Sequence, residues 1–303
     1  MASRTLLILL LLGLPLAGCF GPSASVRGNS DLDKPPRYHQ VELATANDRQ
    51  VIRVASWAHQ HANDPQPSRT VIFVHGTPGG ADNWASVIER TPAGFRAITI
   101  DRPGFGRSEP AGPVISLSDQ AAALLPLLEA HDKPILVGHS LGGPIVARAA
   151  LDYPDKVAGL VILAGAFDPA LEKVYFVQHL ANTDALCWLL PRALRNANQE
   201  LIALKLQLET LAADLPALRT PVVMVHGTED GLVPYQNVDF MRTTLPDAVS
   251  FRLVTLDKMN HFLPWKIQDR IWQEIKQLDQ QAGAAPATPP KVAEPAVHSA
   301  SHQ

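Results

Sequence analysis

Ile135-Leu136-Val137-Gly138-His139-Ser140-Leu141-Gly142-Gly143 is the stretch that decides the fold. Its three leading apolar residues read as a strand buried on both faces, its centre has the form Gly-x-Ser-x-Gly, and the apolar spacing from Leu141 to Leu151 is helical. A serine on so sharp a strand-to-helix turn is held with its hydroxyl lifted above the sheet. Glycines two residues to either side let neighbouring backbone pass without a clash.

Working outward, the same rhythm continues in both directions. Val71 to Val74, Ala97 to Ile100, Ile135 to Val137, Leu160 to Leu163, Val222 to Val225 and Phe251 to Val254 are short apolar runs, expected as six buried strands. Leu117 to Ala130, Leu141 to Leu151 and Ile267 to Leu278 have helical spacing. Tyr38 to Leu43 and Gln50 to Trp57 flank the polar Asn47-Asp48 turn and are expected as an antiparallel hairpin. The expectation is an α/β domain over residues 38–280, with a mostly parallel sheet and helices on both faces. Residues 168–218, too long for a loop and rich in Leu, Ala, Gln and Asn, are expected as a small helical cap inserted after the sixth strand. Cys187 lies in that insertion beside Leu186 and Trp188, where a small apolar packing role fits better than a reactive thiol.

Composition removes several classes of function. The chain has 303 residues, enough for one large domain, with 46% hydrophobic and 18% charged residues. Its 26 Lys+Arg against 29 Asp+Glu give a formal charge of −3, so there is no basic field of the kind that binds nucleic acid. With two cysteines, thiol frameworks and Cys-rich metal sites drop out. No His/Cys/Asp cluster has ligand spacing, and no Gly-rich loop carries the lysine of a phosphate site. Neither a metal nor another cofactor is therefore expected.

A serine hydroxyl is a poor nucleophile at neutral pH and needs a base held by a carboxylate. Asp230 follows the run ending at Val225, through His226-Gly227-Thr228-Glu229, and His261 follows the last strand. Both fall just beyond C-terminal strand ends, on the edge that carries Ser140 and where open α/β sheets place their sites. Asp168, directly after the fourth parallel run, competes with Asp230 as the acid. His226 ends a strand and reads as a buried structural imidazole. Val74-His75-Gly76-Thr77-Pro78-Gly79-Gly80 closes the first parallel strand, and the backbone N–H groups of Thr77 and Leu141 are candidates to hold an oxyanion. Asp101-Arg102-Pro103-Gly104-Phe105-Gly106-Arg107-Ser108 reads as structural, with Asp101 and Arg102 tying loops together.

The two ends read differently. Met1 to Arg4, the eleven-residue apolar run Leu6 to Leu16 and the small residues before Cys19 form a signal peptide over residues 1–18, too short to span a bilayer. Its removal deletes only Arg4, leaving 25 basic and 29 acidic side chains, a charge of −4. Residues 19–37 are expected as a flexible tether. The Ala/Pro-rich residues 281–303 are expected as a disordered tail without chemistry.

Two resemblances add to this. Leu16-Ala17-Gly18-Cys19 resembles the lipobox of bacterial lipoproteins, which implies a diacylglyceryl thioether on Cys19 and a membrane tether in the cell envelope. Phe20, rather than an aspartate, after the cysteine implies the outer membrane. His-Gly-Thr-Pro-Gly-Gly at 75–80, Asp-Arg-Pro-Gly-Phe-Gly-Arg-Ser at 101–108, Gly-His-Ser-Leu-Gly-Gly at 138–143, His-Gly-Thr-Glu-Asp at 226–230 and Asn-His-Phe at 260–262 resemble the α/β-hydrolase superfamily. Within it they are similar to the epoxide-hydrolase and haloperoxidase-like branch. The resemblance implies Ser140 as nucleophile, Asp230 as acid, His261 as base, and Thr77 and Leu141 as oxyanion donors. Epoxide hydrolases and haloalkane dehalogenases of that branch place an aspartate where Ser140 stands. A serine would leave a stable ether in their reactions, so acyl transfer is implied instead. The expected substrate is a small-molecule ester of a small or medium apolar acid, with Leu171, Tyr175, Phe176, Leu186, Trp188 and Leu189 as candidate lining. Amide or carbon–carbon bond hydrolysis uses the same triad. A non-catalytic, membrane-tethered binding protein on a hydrolase fold is the alternative of a different class.

Overall fold

The computed structural model describes residues 31–44, 49–61, 64, 66–187, 189–247 and 249–284. Cys19, the signal segment, residues 20–30 of the expected tether, Trp188 and residues 285–303 of the expected tail lie outside the described residues.

Eight strands form one sheet: β1 (Arg37–Ala44), β2 (Arg49–Gln60), β3 (Arg69–Val74), β4 (Phe95–Ile100), β5 (Ile135–His139), β6 (Gly159–Leu163), β7 (Val222–Gly227) and β8 (Phe251–Leu256). Their order is β1-β2-β4-β3-β5-β6-β7-β8. β1 and β2 pair antiparallel as expected, the Asn47-Asp48 turn lying outside the described residues, and β2 also runs antiparallel to β4; every other neighbour is parallel. Two apolar clusters cover the two faces. Alternation along each strand divides its side chains between them: Ile72 and Val74 join one, Val71 and Phe73 the other.

The helices are α1 (Ala85–Ile88), α2 (Leu117–Ala122), α3 (Leu125–Ala130), α4 (Gly142–Asp152), α5 (Phe176–Ala181), α6 (Asp184–Cys187), α7 (Arg192–Asp214), α8 (Asn237–Thr244) and α9 (Gln268–Ala284). The single helix expected over Leu117 to Ala130 is two, because Pro126 enters near the start of α3 and the chain turns at Ala123 and Leu124. Five of the six apolar runs are buried strands. The sixth is not: β8 forms the sheet edge, and only Val254 of its six residues is buried.

The inserted cap consists of α5, α6 and α7 between β6 and β7. α7 buries Leu194, Ala197, Leu204, Leu208 and Leu211, with Leu201 half-buried in the same row; steps of three and four residues make one helical face. The polar residues buried on it are paired. Asn196 Nδ2 donates to the carbonyls of Gly104 (2.7 Å) and Ala111 (2.9 Å), and Glu200 forms a two-pronged pair with Arg102 at 2.7 and 3.1 Å. Cys187 is half-buried within the cap. At the other end, the residues just before β1, assigned by their composition to the tether, lie against the domain. Leu32 packs on the core, and Trp57 Nε1 donates to the Lys34 carbonyl at 3.0 Å.

Candidate active site

Ser140 sits between the end of β5 and the start of α4 with φ = 53°, the left-handed region that costs an L-residue strain. The turn is possible because its flanks lack side chains. A Cβ on Gly138 would come within 2.3 Å of the Gly142 carbonyl, and one on Gly142 within 2.3 Å of the Val74 carbonyl. Backbone bonds hold the serine itself: its N–H donates to Leu163 O at 3.0 Å, and its carbonyl accepts from the Gly143 N–H at 2.9 Å.

His261, 4% exposed, brings Nδ1 within 2.8 Å of Asp230 Oδ2. A carboxylate can only accept here, so Nδ1 carries the proton and Nε2 is left with a lone pair. Asp230 Oδ1 in turn accepts from the N–H groups of Leu232 (2.9 Å) and Val233 (2.8 Å). Burial alone would raise this carboxyl; the His261 hydrogen bond and charge, with the two N–H donors, hold it below the ordinary carboxylate value. The competing acid, Asp168, is engaged elsewhere: its Oδ1 accepts from the Ala170 N–H at 2.8 Å. His226 is the expected buried imidazole, with Nε2 donating to Val233 O at 2.9 Å and standing 3.6 Å from Asp230 Oδ2.

The loop after β3 is fixed from behind. His75 Nδ1 donates to Gly76 O at 2.7 Å and its Nε2 accepts from the Arg102 N–H at 3.0 Å, so both ring nitrogens are used by the neutral imidazole. Burial, then the Arg102 charge, keeps it neutral. Arg102 Nη2 also donates to Gly76 O, at 3.0 Å. The Gly76–Thr77 peptide is planar, so pinning its carbonyl towards Arg102 turns the Thr77 N–H the opposite way. Among the described residues, neither the Thr77 nor the Leu141 N–H has a partner within the chain. Asp101 and Arg102 tie loops as the sequence suggested: Asp101 accepts from the N–H groups of Ala81 and Arg107, both at 2.8 Å.

Ser140, His261, Thr77 and Leu141 together line a cavity of about 290 Å³, the small end of ligand pockets. Its apolar wall differs from the expected one. Leu171 and Tyr175 line it, but Phe176 is 81% exposed and Leu189 43% exposed, both on the cap exterior. Leu201 and Leu204 of α7 and the loop Leu232-Val233-Pro234 take their place, because the buried face of α7 crosses above the strand ends. Glu172 and Lys173 line the cavity too, and sequence reading missed both, since a charged pair in an insertion normally marks a solvated surface. Burial, then the nearby Asp168, pushes the Glu172 carboxyl up to about 7. No group of three or more His, Cys, Asp or Glu among the described residues is arranged to hold a metal.

Comparison with known proteins gives the same family from two directions. The α/β-hydrolase-fold family matches residues 69–186. The pimeloyl-[acyl-carrier protein] methyl ester esterase of Aromatoleum aromaticum is 31% identical over 232 residues, 63% of this chain and 90% of the relative. The enzyme of the same name from Photorhabdus laumondii is 28% identical over 218 residues, 60% of this chain and 82% of that one. Among solved structures, a thermophilic esterase from Thermogutta terrifontis superposes with a TM-score of 0.58 at 22% identity, covering 80% of this chain and 99% of its own.

Proposed function

We propose, from the premise that this chain belongs to the α/β-hydrolase family and is a hydrolase, that it cleaves carboxylic esters of small or medium apolar acids through an acyl-enzyme on Ser140. The observation that carries the reading is the 2.8 Å hydrogen bond between His261 Nδ1 and Asp230 Oδ2, with His261 and Ser140 lining one cavity. His261 Nε2 takes the Ser140 proton as Oγ attacks the ester carbonyl. The Thr77 and Leu141 N–H groups receive the developing oxyanion, a donor of this kind being worth roughly 3 kcal/mol in the transition state. Asp230 orients the imidazole and stabilises its charged form. His261 then returns the proton to the departing alcohol, and water attacks the acyl-enzyme by the same route. A second recess beside Ser140 and His261, of about 20 Å³, has room for one water. The size of the main cavity favours a short acyl chain, and both curated relatives are named as esterases. Lipidation of Cys19 and attachment to the outer membrane of the bacterial envelope complete the proposal; they rest on the Leu16-Ala17-Gly18-Cys19 motif and on Phe20 after the cysteine.

A fluorophosphonate should label the protein at Ser140. Ser140→Ala should stay folded, remain unlabelled and lose about 10⁴-fold or more of its activity on p-nitrophenyl esters of graded chain length. Labelling that persists in the variant would remove the assignment.

A further inference from the structure

Ser140, His261 and Thr77 border two spaces. Besides the main cavity they line a recess of about 20 Å³, whose remaining border is Gly76, Pro78, Asn83, His139, Phe262 and Trp265. None of those six lines the main cavity, which takes most of its other walls from the cap and from residues 231–234. The recess is built chiefly from the loop after β3 and from residues following His261. That loop lies against the nucleophile: a Cβ on Gly76 would come within 2.8 Å of Ser140 Cβ and 3.4 Å of its Oγ.

The recess has the size and the chemistry of a water site. A buried water needs roughly 10–15 Å³ and two to four polar partners, so this recess holds one water and not an alcohol of three heavy atoms. Two groups on its border lack a partner within the chain among the described residues. The Thr77 hydroxyl is buried and makes no hydrogen bond. Buried hydroxyls are satisfied by protein or by ordered water, so this one calls for a partner that the chain does not supply. Asn83 accepts the Gly80 N–H on Oδ1 at 3.0 Å, which leaves its Nδ2 as a free donor. His261 is the third group, since its Nδ1 is engaged by Asp230 and its Nε2 keeps a lone pair.

We infer that this recess seats the water that hydrolyses the acyl-enzyme, apart from the cavity that takes the ester, and that Asn83 holds it by a hydrogen bond from Nδ2. The inference rests on the acyl-enzyme reading of Ser140. A water so placed donates one hydrogen to His261 Nε2 and the other to Thr77 Oγ1, accepts from Asn83, and keeps one lone pair for the acyl carbon. As its oxygen bonds to that carbon, a proton passes to His261 Nε2 and the carbonyl electron pair moves to the oxyanion at the Thr77 and Leu141 N–H groups. Collapse breaks the bond from carbon to Ser140 Oγ, and His261 returns the proton to Oγ as the acid leaves. Asn83 therefore serves the second half of the cycle and not the first.

p-Nitrophenyl N,N-dimethylcarbamate separates the halves. It transfers its carbamyl group to the nucleophile with release of p-nitrophenolate, and water removes that group slowly enough to be followed by the mass of the protein. Asn83→Leu, of the same shape but unable to donate, should slow removal about tenfold or more and leave attachment within about twofold of the wild type. Equal slowing of both steps would show that Asn83 acts only by shaping the loop that carries Thr77, and would overturn its role, as would removal at the wild-type rate. Ethanol probes the recess in the wild-type protein itself. At molar concentration it should neither hasten removal nor yield ethyl dimethylcarbamate, because it does not fit the recess. Ethyl dimethylcarbamate formed in competition with hydrolysis would put the attacking nucleophile in the main cavity and overturn the seat. Wild-type protein that takes neither a fluorophosphonate nor the carbamyl group at Ser140 contradicts the nucleophile, whereas carbamylated protein that fails the Asn83→Leu or ethanol test contradicts only the recess.

Discussion

His139 occupies the first variable position of Gly-x-Ser-x-Gly, and it does more than separate a glycine from a serine. Its Nε2 donates to the His261 backbone carbonyl at 3.0 Å, and the two rings lie 4.7 Å apart. The residue beside the nucleophile thus holds the base by its main chain. Burial, then the neighbouring His261, keeps the imidazole neutral down to about 3. A histidine whose folded pKa lies below its unfolded value of about 6.5 weakens the folded state as pH falls, because the unfolded chain binds the proton and the folded chain does not. The loss begins near pH 6.5 and continues to about 3. His139→Gln keeps a donor for the His261 carbonyl and removes the proton site. Urea unfolding should show the variant gaining on the wild type by about 1.4 kcal/mol per pH unit between roughly pH 6 and 4. Parallel curves over that range would mean that His139 becomes protonated in the folded protein.

The cap helix α7 and the loop after β4 are joined through Arg102 and Glu200, which are 1% and 3% exposed at the side chain. Gln120 of α2 adds a bond from its Nε2 to Glu200 Oε1 at 2.8 Å. Since Arg102 also holds Gly76 O, a residue on the cap steadies the peptide whose N–H is the proposed Thr77 oxyanion donor. Glu200→Ala leaves a buried guanidinium unpaired and should cost about 3–5 kcal/mol in unfolding experiments. If that chain of contacts sets the oxyanion loop, protein still folded at low temperature should lose kcat more than it gains KM; a change confined to KM would show that the cap only shapes the pocket. Nothing in the sequence announced this pair. Arg102 stands in a motif whose local role was legible, but Glu200 lies 98 positions away in a helix whose charged residues otherwise face water. The same limit explains the lining. Helical spacing in residues 168–218 showed that a cap exists, whereas which of its apolar residues face inward depends on how α7 crosses the sheet. By contrast the convergence of Ser140, Asp230 and His261 was legible because strand ends of one parallel sheet share an edge, so position along the chain fixes position in space. β8 was misread as buried for the converse reason: an edge strand carries the same residue types, and only the sheet order exposes it.

At the scale of the molecule, the proposed triad and the proposed lipid anchor lie on separate parts of the chain. No helix among the described residues is long and apolar enough to cross a membrane, and the proposed attachment runs through Cys19. Residues just before β1 pack on the domain through Leu32, which leaves residues 20–30 between the proposed lipid and the first described residue. Eleven residues reach at most about 40 Å when fully extended, so a domain anchored at Cys19 works within a short distance of the bilayer surface. Each acyl methylene buried in lipid contributes about 0.8 kcal/mol, and two or more chains hold where one binds only marginally. Cys19→Ala, or inhibition of lipoprotein signal peptidase with globomycin, should therefore move the protein from the detergent phase to the aqueous phase on Triton X-114 partitioning. Labelling at Ser140 should persist in the released Cys19→Ala protein, because the proposed triad is drawn from residues 140, 230 and 261 of the domain. If Cys19→Ala protein stays in the detergent phase, attachment does not run through a lipidated cysteine, and the lipobox reading falls while the hydrolase reading stands.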